Sequence, residues 1–356
     1  MLTAVIVIVV FSVLILVHEA GHLIAAKKAG IGVKVFSLGF GKRLWGKELG
    51  GTDYRISLLP FGGYIKMAGE DPTEATGRKD ELYSKPPGSR FWVMVAGALT
   101  NYVFAFILFS IIFMIGVPTL TNEIGQVLNG YPAQEAGIQM GDKILSINEK
   151  EIKYWDDVID SIKKESAGGA ALNVELERRK RVFSIKVKPQ IYTVTNIFGQ
   201  TISRPMLGIA PVNRVLPVRY DPFRAVYHGG KRLLVLTGMT YKGIWLLLTG
   251  GLPVKKSVTG PVGIIHLIGQ AANLGVVPLM IITAHVSMAL AIFNLLPFPP
   301  LDGGHVIFLG LEKLRGRPIS HKVQENITNV AFLILIAFVL FVTWQDILKF
   351  TPLGKK

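Results

Sequence analysis

The sequence predicts a membrane α-helical protein of about four transmembrane helices, with cytoplasmic β-hairpin elements after the first helix and one inserted α+β domain. Three observations predict it. Half of the 356 residues are hydrophobic (50%) and only 18% are charged, giving a mean hydropathy of +0.43, which is the composition of a membrane chain rather than of two soluble domains. Four runs of roughly 17 to 25 mostly apolar residues recur, each long enough at ~1.5 Å per residue to cross a ~30 Å hydrocarbon core. Between the second and third runs lies a long polar stretch with strand-like alternation.

The first helix covers residues 1–26. No basic segment precedes it and no small-x-small site follows, so it reads as a retained helix and not as a cleaved signal peptide. Residues 27–90 form a loop region in which Gly39-Phe40-Gly41 and the stretch from Tyr54 to Met67 read as short hairpin strands. Residues 70–90 are polar and contain prolines. The second helix, 91–117, opens on Phe91 and Trp92, an interfacial aromatic pair. In the folded domain at 121–213, the strands are expected at 124–128, 172–178 and 182–187 and an amphipathic helix at 154–164. Residues 214–275 mix apolar clusters with Lys231, Arg232, Lys242, Lys255 and Lys256 and with glycines and prolines, and so predict amphipathic or re-entrant segments at the interface. A third helix at 276–304, a loop at 305–326 and a fourth helix at 327–343 complete the chain.

Charge sets the orientation. Residues 27–90 carry 12 Lys/Arg against 7 Asp/Glu, and residues 305–322 carry 4 against 1, which places both loops in the cytoplasm. The N-terminus, the folded domain and the C-terminal tail are then extracytoplasmic, an arrangement that suits a bacterial cytoplasmic membrane. The domain's own basicity does not oppose this, because large folded segments translocate largely regardless of charge. The net charge of +15 does not indicate nucleic-acid binding either, since no binding motif or aromatic-basic interleaving accompanies it. There is no cysteine, which excludes disulfides and restricts any metal site to nitrogen and oxygen ligands.

The sharpest chemical feature is His18-Glu19-Ala20-Gly21-His22 inside the first apolar run. On a helix, positions i and i+4 share a face, so both imidazoles can hold one Zn²⁺ while Glu19 reaches a water beside it. Ionisable groups are costly at membrane depth unless they pair, bind metal or line a cavity, which weighs against a merely structural polar cluster. Two histidines still need a third protein ligand. The segment from Asn294 through Pro297, Pro299 and Pro300 to Asp302 and His305 offers Asp302, with His305 and, more weakly, His285 as rivals. Asp302 after a proline-rich turn also suits a helix N-cap.

Taken together, HExxH in the first span and N-x-x-P-x-P-x-x-D-G at 294–303 resemble the site-2 protease family, with every fixed position of both motifs present. The resemblance extends to Gly39-Phe-Gly41, Gly62-Gly-Tyr-Ile-Lys-Met67, Ala96-Gly-Ala-Leu-Thr-Asn101 and Gly260-Pro-Val-Gly-Ile264, and so to nearly the whole chain. It implies zinc held by His18, His22 and Asp302, Glu19 as general base, and Asn294 beside the scissile peptide. It also implies that the strand Gly62, Gly63, Tyr64, Ile65 and Lys66 clamps an unwound substrate segment by strand addition. The implied activity is cleavage within single-span membrane proteins such as anti-sigma factors or signal-peptide remnants. The run from Ala136 to Asn148 resembles the signature of bacterial PDZ domains, and Leu207-Gly208-Ile209 would be their loop for the terminal carboxylate of a peptide. Familiar bacterial relatives carry two tandem PDZ domains, and this chain has room for one. The competing classes are a membrane-tethered PDZ adaptor without proteolytic activity, which the intact Glu19 disfavours, and a metal transporter, which the lack of an inverted repeat disfavours.

Overall fold

The computed structural model describes residues 2–70, 75–166, 169–195 and 201–350; positions 71–74 of the predicted polar loop and the tail from 351 lie outside the described residues. Helix α1, Leu2–Lys28, is apolar on all faces along most of its length, as a lipid-embedded helix must be. At its end Ile31 N donates to Ala26 O (2.8 Å) and Gly30 N to Lys27 O (3.1 Å). This double closure needs a left-handed residue, supplied by Gly30 at φ 66°. Two long antiparallel strands follow, β1 (Val33–Leu49) and β2 (Thr52–Met67). Sequence reading predicted only short strands here, because glycines at 39, 41, 62 and 63 interrupt the pattern. The ladder absorbs these interruptions as repeated register shifts, so the hairpin continues. Its outer half exposes Leu44, Trp45, Leu58 and Leu59.

The loop that returns from β2 to the next helix is held at its base by Gly32 N to Asp80 O (2.9 Å) and Leu82 N to Ala68 O (2.8 Å). Within it the Glu81 carboxylate accepts from the Thr76 hydroxyl (2.7 Å), the Thr76 amide (2.8 Å) and the Gly77 amide (2.8 Å). These bonds, the hydroxyl first, lower the carboxyl from its ordinary value of 4.5 to about 2. A depressed carboxylate stabilises the folded loop above its unfolded value and loses that contribution as pH falls through the folded one. Amide-exchange protection at Thr76 and Gly77 is therefore expected to hold above pH 4.5 and to fade as pH drops toward about 2. Glu81→Gln should flatten that dependence; unchanged pH sensitivity in the variant would assign the effect to another group.

Helix α2, Pro87–Ile115, begins four residues before the predicted span. After it come β3 (Val117–Leu120), β4 (Ile124–Val127), the short α3 (Pro132–Glu135), β5 (Lys143–Ile147), β6 (Lys150–Glu151), α4 (Trp155–Glu165), β7 (Leu172–Arg178), β8 (Arg181–Val187), β9 (Gln190–Thr195), β10 (Thr201–Met206), β11 (Ile209–Pro211) and β12 (Val215–Val218). Four of these strands form one antiparallel sheet in the order β6-β5-β7-β8, and the others pair as β4-β11, β9-β10 and β3-β12. The core of this part is Ile124, Ile144, Ile147, Leu172, Val174 and Leu176, closed by Trp155, Val158 and Ile162. The spacing of those last three puts them on one face of α4. Asp142, fully buried, accepts Arg178 Nε (2.6 Å) and Nη2 (2.7 Å) as well as the Gln139 amide (2.8 Å). Asp142, inside the run from Ala136 to Asn148, thus anchors the turn into β5.

The remaining elements are α5 (Pro222–Leu248), α6 (Val254–Ser257), α7 (Pro261–Leu274), α8 (Val276–Asn294), α9 (Asp302–Arg315) and α10 (His321–Phe350). The chain divides into two compact units, one of Met1–Ile112, Phe223–Lys242 and Val254–Lys356, the other of Phe113–Pro222 and Gly243–Pro253. Among the described residues four helices, α1, α2, α8 and α10, are long and apolar enough to cross a membrane. Helix α5 lies in the region predicted to be amphipathic or re-entrant and is unbroken for 27 residues. An interior glycine costs only about 1 kcal/mol against alanine, and Gly229 lets α5 approach Ser110 of α2, where a Cβ would lie 2.6 Å from the hydroxyl. The predicted loop at 305–326 is mostly helical, because α9 and the first turns of α10 occupy it. Hydropathy marks only the apolar middle of such helices. The predicted third span, 276–304, is broken between α8 and α9, where Pro297, Pro299 and Pro300 lie.

Candidate metal centre

Helix α1 carries His18, Glu19 and His22 one turn apart, and α9 begins at Asp302, directly after the proline-rich turn. The two segments, 284 residues apart in sequence between His18 and Asp302, converge on one point. His18 Nε2 lies 3.2 Å from His22 Nε2, and Asp302 Oδ2 lies 3.3 Å from the first and 3.6 Å from the second. Ligands about 2.0–2.1 Å from a tetrahedral Zn²⁺ sit about 3.3–3.4 Å from each other, so the triangle has the size that ion requires. The donor atoms are also available. His22 Nδ1 donates to Val93 O of α2 (2.7 Å), which leaves Nε2 with its lone pair toward the centre. Asp302 Oδ2 is buried and, among the described residues, has no hydrogen-bond partner. The residues present fit zinc.

Helix α2 makes room for the centre. A Cβ on Gly97 would fall 2.3 Å from His22 Nε2 and 2.7 Å from His18 Cε1. One turn along, Gly21 of α1 meets Ala96 O and Thr100 Oγ1, each at 2.4 Å from a would-be Cβ, and Thr100 Oγ1 donates to Val17 O (2.9 Å). Ser287 of α8 donates to Asn101 O (2.8 Å), tying the third span to the same helix. Neither Val93 nor Gly97 was singled out as a functional residue from sequence. The carbonyl role has no side-chain signature, and Gly97 stood only inside the Ala96–Asn101 match.

Beside the triangle opens a cavity of about 420 Å³, lined among others by Glu19, Tyr64, Ile65, Glu70, Tyr83 and His305. Glu70 accepts the Met67 amide (2.9 Å), and burial raises its carboxyl above the ordinary carboxylate range. The strand predicted to receive substrate runs along this wall: Gly63 pairs with Leu38, Tyr64 with Ser37, Ile65 with Phe36 and Lys66 with Val35, while Gly62 is left-handed at φ 109°. A Cβ on Gly63 would come within 3.6 Å of Glu19 Cγ. Among the described residues β2 pairs with β1 alone, so its second edge carries no strand. Asn294 Nδ2 is 3.4 Å from both ring nitrogens of His18. Of the rival ligands, His305 lines the cavity with its ring against Phe308, and His285 bonds Ile281 O (2.7 Å) beside Phe109. Neither belongs to the ligand cluster of His18, His22 and Asp302 found among the described residues.

The predicted carboxylate loop lies in the other unit. Leu207 is buried in its core and its carbonyl accepts Ala133 N (2.9 Å); Gly208, at φ 80°, accepts Leu128 N (2.8 Å), and Ile209 pairs with Val127.

Comparison with known proteins points the same way as this geometry. Residues 6–338 match the family described as Peptidase family M50. A protein of Campylobacter jejuni named as a candidate zinc metalloprotease is 33% identical over 343 residues, covering 96% of this chain and 92% of its own. The zinc metalloprotease RasP of Geobacillus kaustophilus is 28% identical, covering 96% and 97%. The regulator of sigma-W protease RasP of Bacillus subtilis is 27% identical with the same coverage, 96% and 97%. Among solved structures, the PDZ domain of an SdrC-like protein from Listeria monocytogenes covers 28% of this chain at 18% identity and a TM-score of 0.21, a likeness that carries no argument.

Proposed function

Since this chain belongs to peptidase family M50, the site-2 proteases, and is a zinc metalloendopeptidase, we propose that it hydrolyses a peptide bond within single-span membrane proteins. The observation that carries this reading is the 3.2–3.6 Å triangle of His18 Nε2, His22 Nε2 and Asp302 Oδ2, with two of its corners inside a helix long enough to span a bilayer. Those three side chains would hold the zinc. When bound, zinc supplies Lewis-acid activation of water and of the scissile carbonyl. Glu19 takes a proton from the attacking water and delivers it to the leaving nitrogen, so that the C–N bond breaks to a carboxylate and an amine. Asn294, next to His18, holds the substrate backbone or its developing oxyanion.

A substrate helix hides its amides in internal hydrogen bonds and must be unwound before attack. The open edge of β2 at residues 62–66 offers replacement backbone partners along the wall of the cavity, and an unwound segment adds there as a strand. The unit containing Leu207-Gly208-Ile209 serves as the single PDZ-like module and takes peptide termini on the extracytoplasmic side, as the loop charges favour. The name of the Bacillus relative connects that protein with sigma-W regulation, which favours anti-sigma factors as substrates, with signal-peptide remnants next.

The test is to incubate the purified protein in detergent with a single-span model substrate and to locate the products by mass spectrometry. A cut inside the span that stops with a zinc chelator and returns on adding zinc is expected. Cuts confined to the extramembrane parts of the substrate would refute the intramembrane reading.

A further inference from the structure

Helix α9 presents one face to the site. Asp302, His305, Leu309 and Glu312 follow the 3-4-3 spacing that puts residues on a single side of a helix. Asp302 ends in the ligand triangle. About 15 Å further along the axis, at ~1.5 Å per residue, Glu312 forms an ion pair with Arg90 of α2. Arg90 is 5% exposed, and its guanidinium stands 5.7 Å over the ring of Tyr83, which also lines the main cavity. The helix that supplies Arg90 supplies, on the same face, Val93 with the carbonyl that fixes His22 and Gly97 that gives both imidazoles room. One face of α2 therefore addresses two of the proposed ligands directly and the helix of the third at its far end.

The beginning of α9 is already fixed in place. A Cβ on Gly303 would lie 2.2 Å from Leu296 O and one on Gly304 2.5 Å from Pro299 N, so the first turn sits flush on the preceding loop. Contacts through glycine, which has no side chain to interlock, resist displacement of the helix more than a small roll about its own axis. With a side-chain tip about 5 Å from the axis, a roll of about 20° sweeps the Asp302 carboxylate by about 1.7 Å, enough to destroy a ligand triangle. A second anchor on the same face removes that freedom. A buried ion pair contributes little net stability, since desolvation offsets its attraction; the Arg guanidinium does offer a fixed planar geometry.

We infer that the Arg90–Glu312 ion pair is a positioning pair that sets the roll of α9 and thereby holds the Asp302 carboxylate in the ligand triangle. The inference rests on the assignment of His18, His22 and Asp302 as zinc ligands. Its test uses the full chain in detergent: zinc affinity by competition with a chelating dye, the visible spectrum of the cobalt-substituted protein, and kcat and KM on the model substrate. Glu312→Gln and Arg90→Gln are each expected to lower zinc affinity and kcat about 10- to 100-fold, with KM little changed and an altered cobalt spectrum. The double variant should be no worse than either single one, and Arg90→Lys should recover part of the loss. If a Gln variant does not fold, Arg90→Lys and Glu312→Asp carry the same comparison. Asp142→Asn, which breaks the Arg178 pair in the other unit, should lower the melting temperature without touching zinc affinity. Zinc affinity within about twofold of wild type and an unchanged cobalt spectrum in the Arg90 and Glu312 variants would overturn the proposal. His22→Ala separates the two layers. If it binds zinc as wild type does, the ligand assignment fails; if it loses zinc while the ion-pair variants keep it, only the positioning role fails.

Discussion

Glu19→Gln is expected to reduce kcat at least about 10³-fold, within the range that a positioned general acid–base group supplies, while leaving zinc content and KM nearly unchanged. The expectation follows from where Glu19 stands. It shares the helix turn of His18 and His22 but is no part of the ligand cluster formed by those two and Asp302, so the amide replaces it without removing a ligand. It lines the cavity with Tyr64 and Ile65 of β2, on the side where an added substrate strand would run. A loss in kcat with KM preserved is the signature of an interaction made in the transition state and not in the ground state. The measurement is turnover of a single-span substrate together with metal analysis of the same preparation. Activity within about tenfold of wild type would move the role elsewhere, and Glu70 is the first alternative, as another carboxylate on the same cavity wall. Zinc lost along with activity would show instead that Glu19 supports the ligands.

The parts of this molecule that were legible in the sequence are those where side-chain chemistry repeats at a fixed short spacing. His18 and His22 announce themselves at i and i+4 within an apolar helix, and the alternation of Leu172, Val174 and Leu176 announces a strand whose inward face is the core of its unit. Glycine-rich stretches are less legible, because in sequence a glycine looks like an interruption whether or not the element continues. In β1 and β2 they are register shifts in one long ladder, and in α5 Gly229 is a point of close approach to Ser110. The geometry around the proposed metal ligands was the least legible. His22 is oriented by a backbone carbonyl, a group that every residue possesses, and Arg90 meets Glu312 across 222 residues. No local pattern links such partners. The choice among Asp302, His305 and His285 likewise had no answer in spacing alone. In the fold, the turn ending at Leu301 brings Asp302 to both imidazoles, while His285 lies along α8 against Phe109.

That dependence on backbone geometry makes Gly97→Ala the most informative single methyl group to add. Its Cβ would lie 2.3 Å from His22 Nε2 and 2.8 Å from His18 Nε2, so either the imidazoles or the helix must yield. The imidazole of His22 resists, because it is buried and its Nδ1 is committed to Val93 O on the same helix. Separation of the helices is resisted as well. Gly21 already lies against Ala96 and Thr100, and the Thr100 hydroxyl bonds Val17 O across the crossing. Overpacking of this kind costs about 1–3 kcal/mol, which a protein tolerates as a fold, whereas a metal site held to a few tenths of an ångström does not. The expected result is a folded protein whose zinc affinity and proteolysis both fall about 10- to 100-fold, partly restored by excess zinc. Gly88→Ala on the same helix provides the contrast: nothing lies within 4 Å of its Cβ, and alanine's better helix propensity should leave stability equal or slightly higher. Equal zinc affinity in Gly97→Ala and Gly88→Ala would mean that His18 and His22 have room to withdraw, and that the close approach of α2 does not define the metal centre.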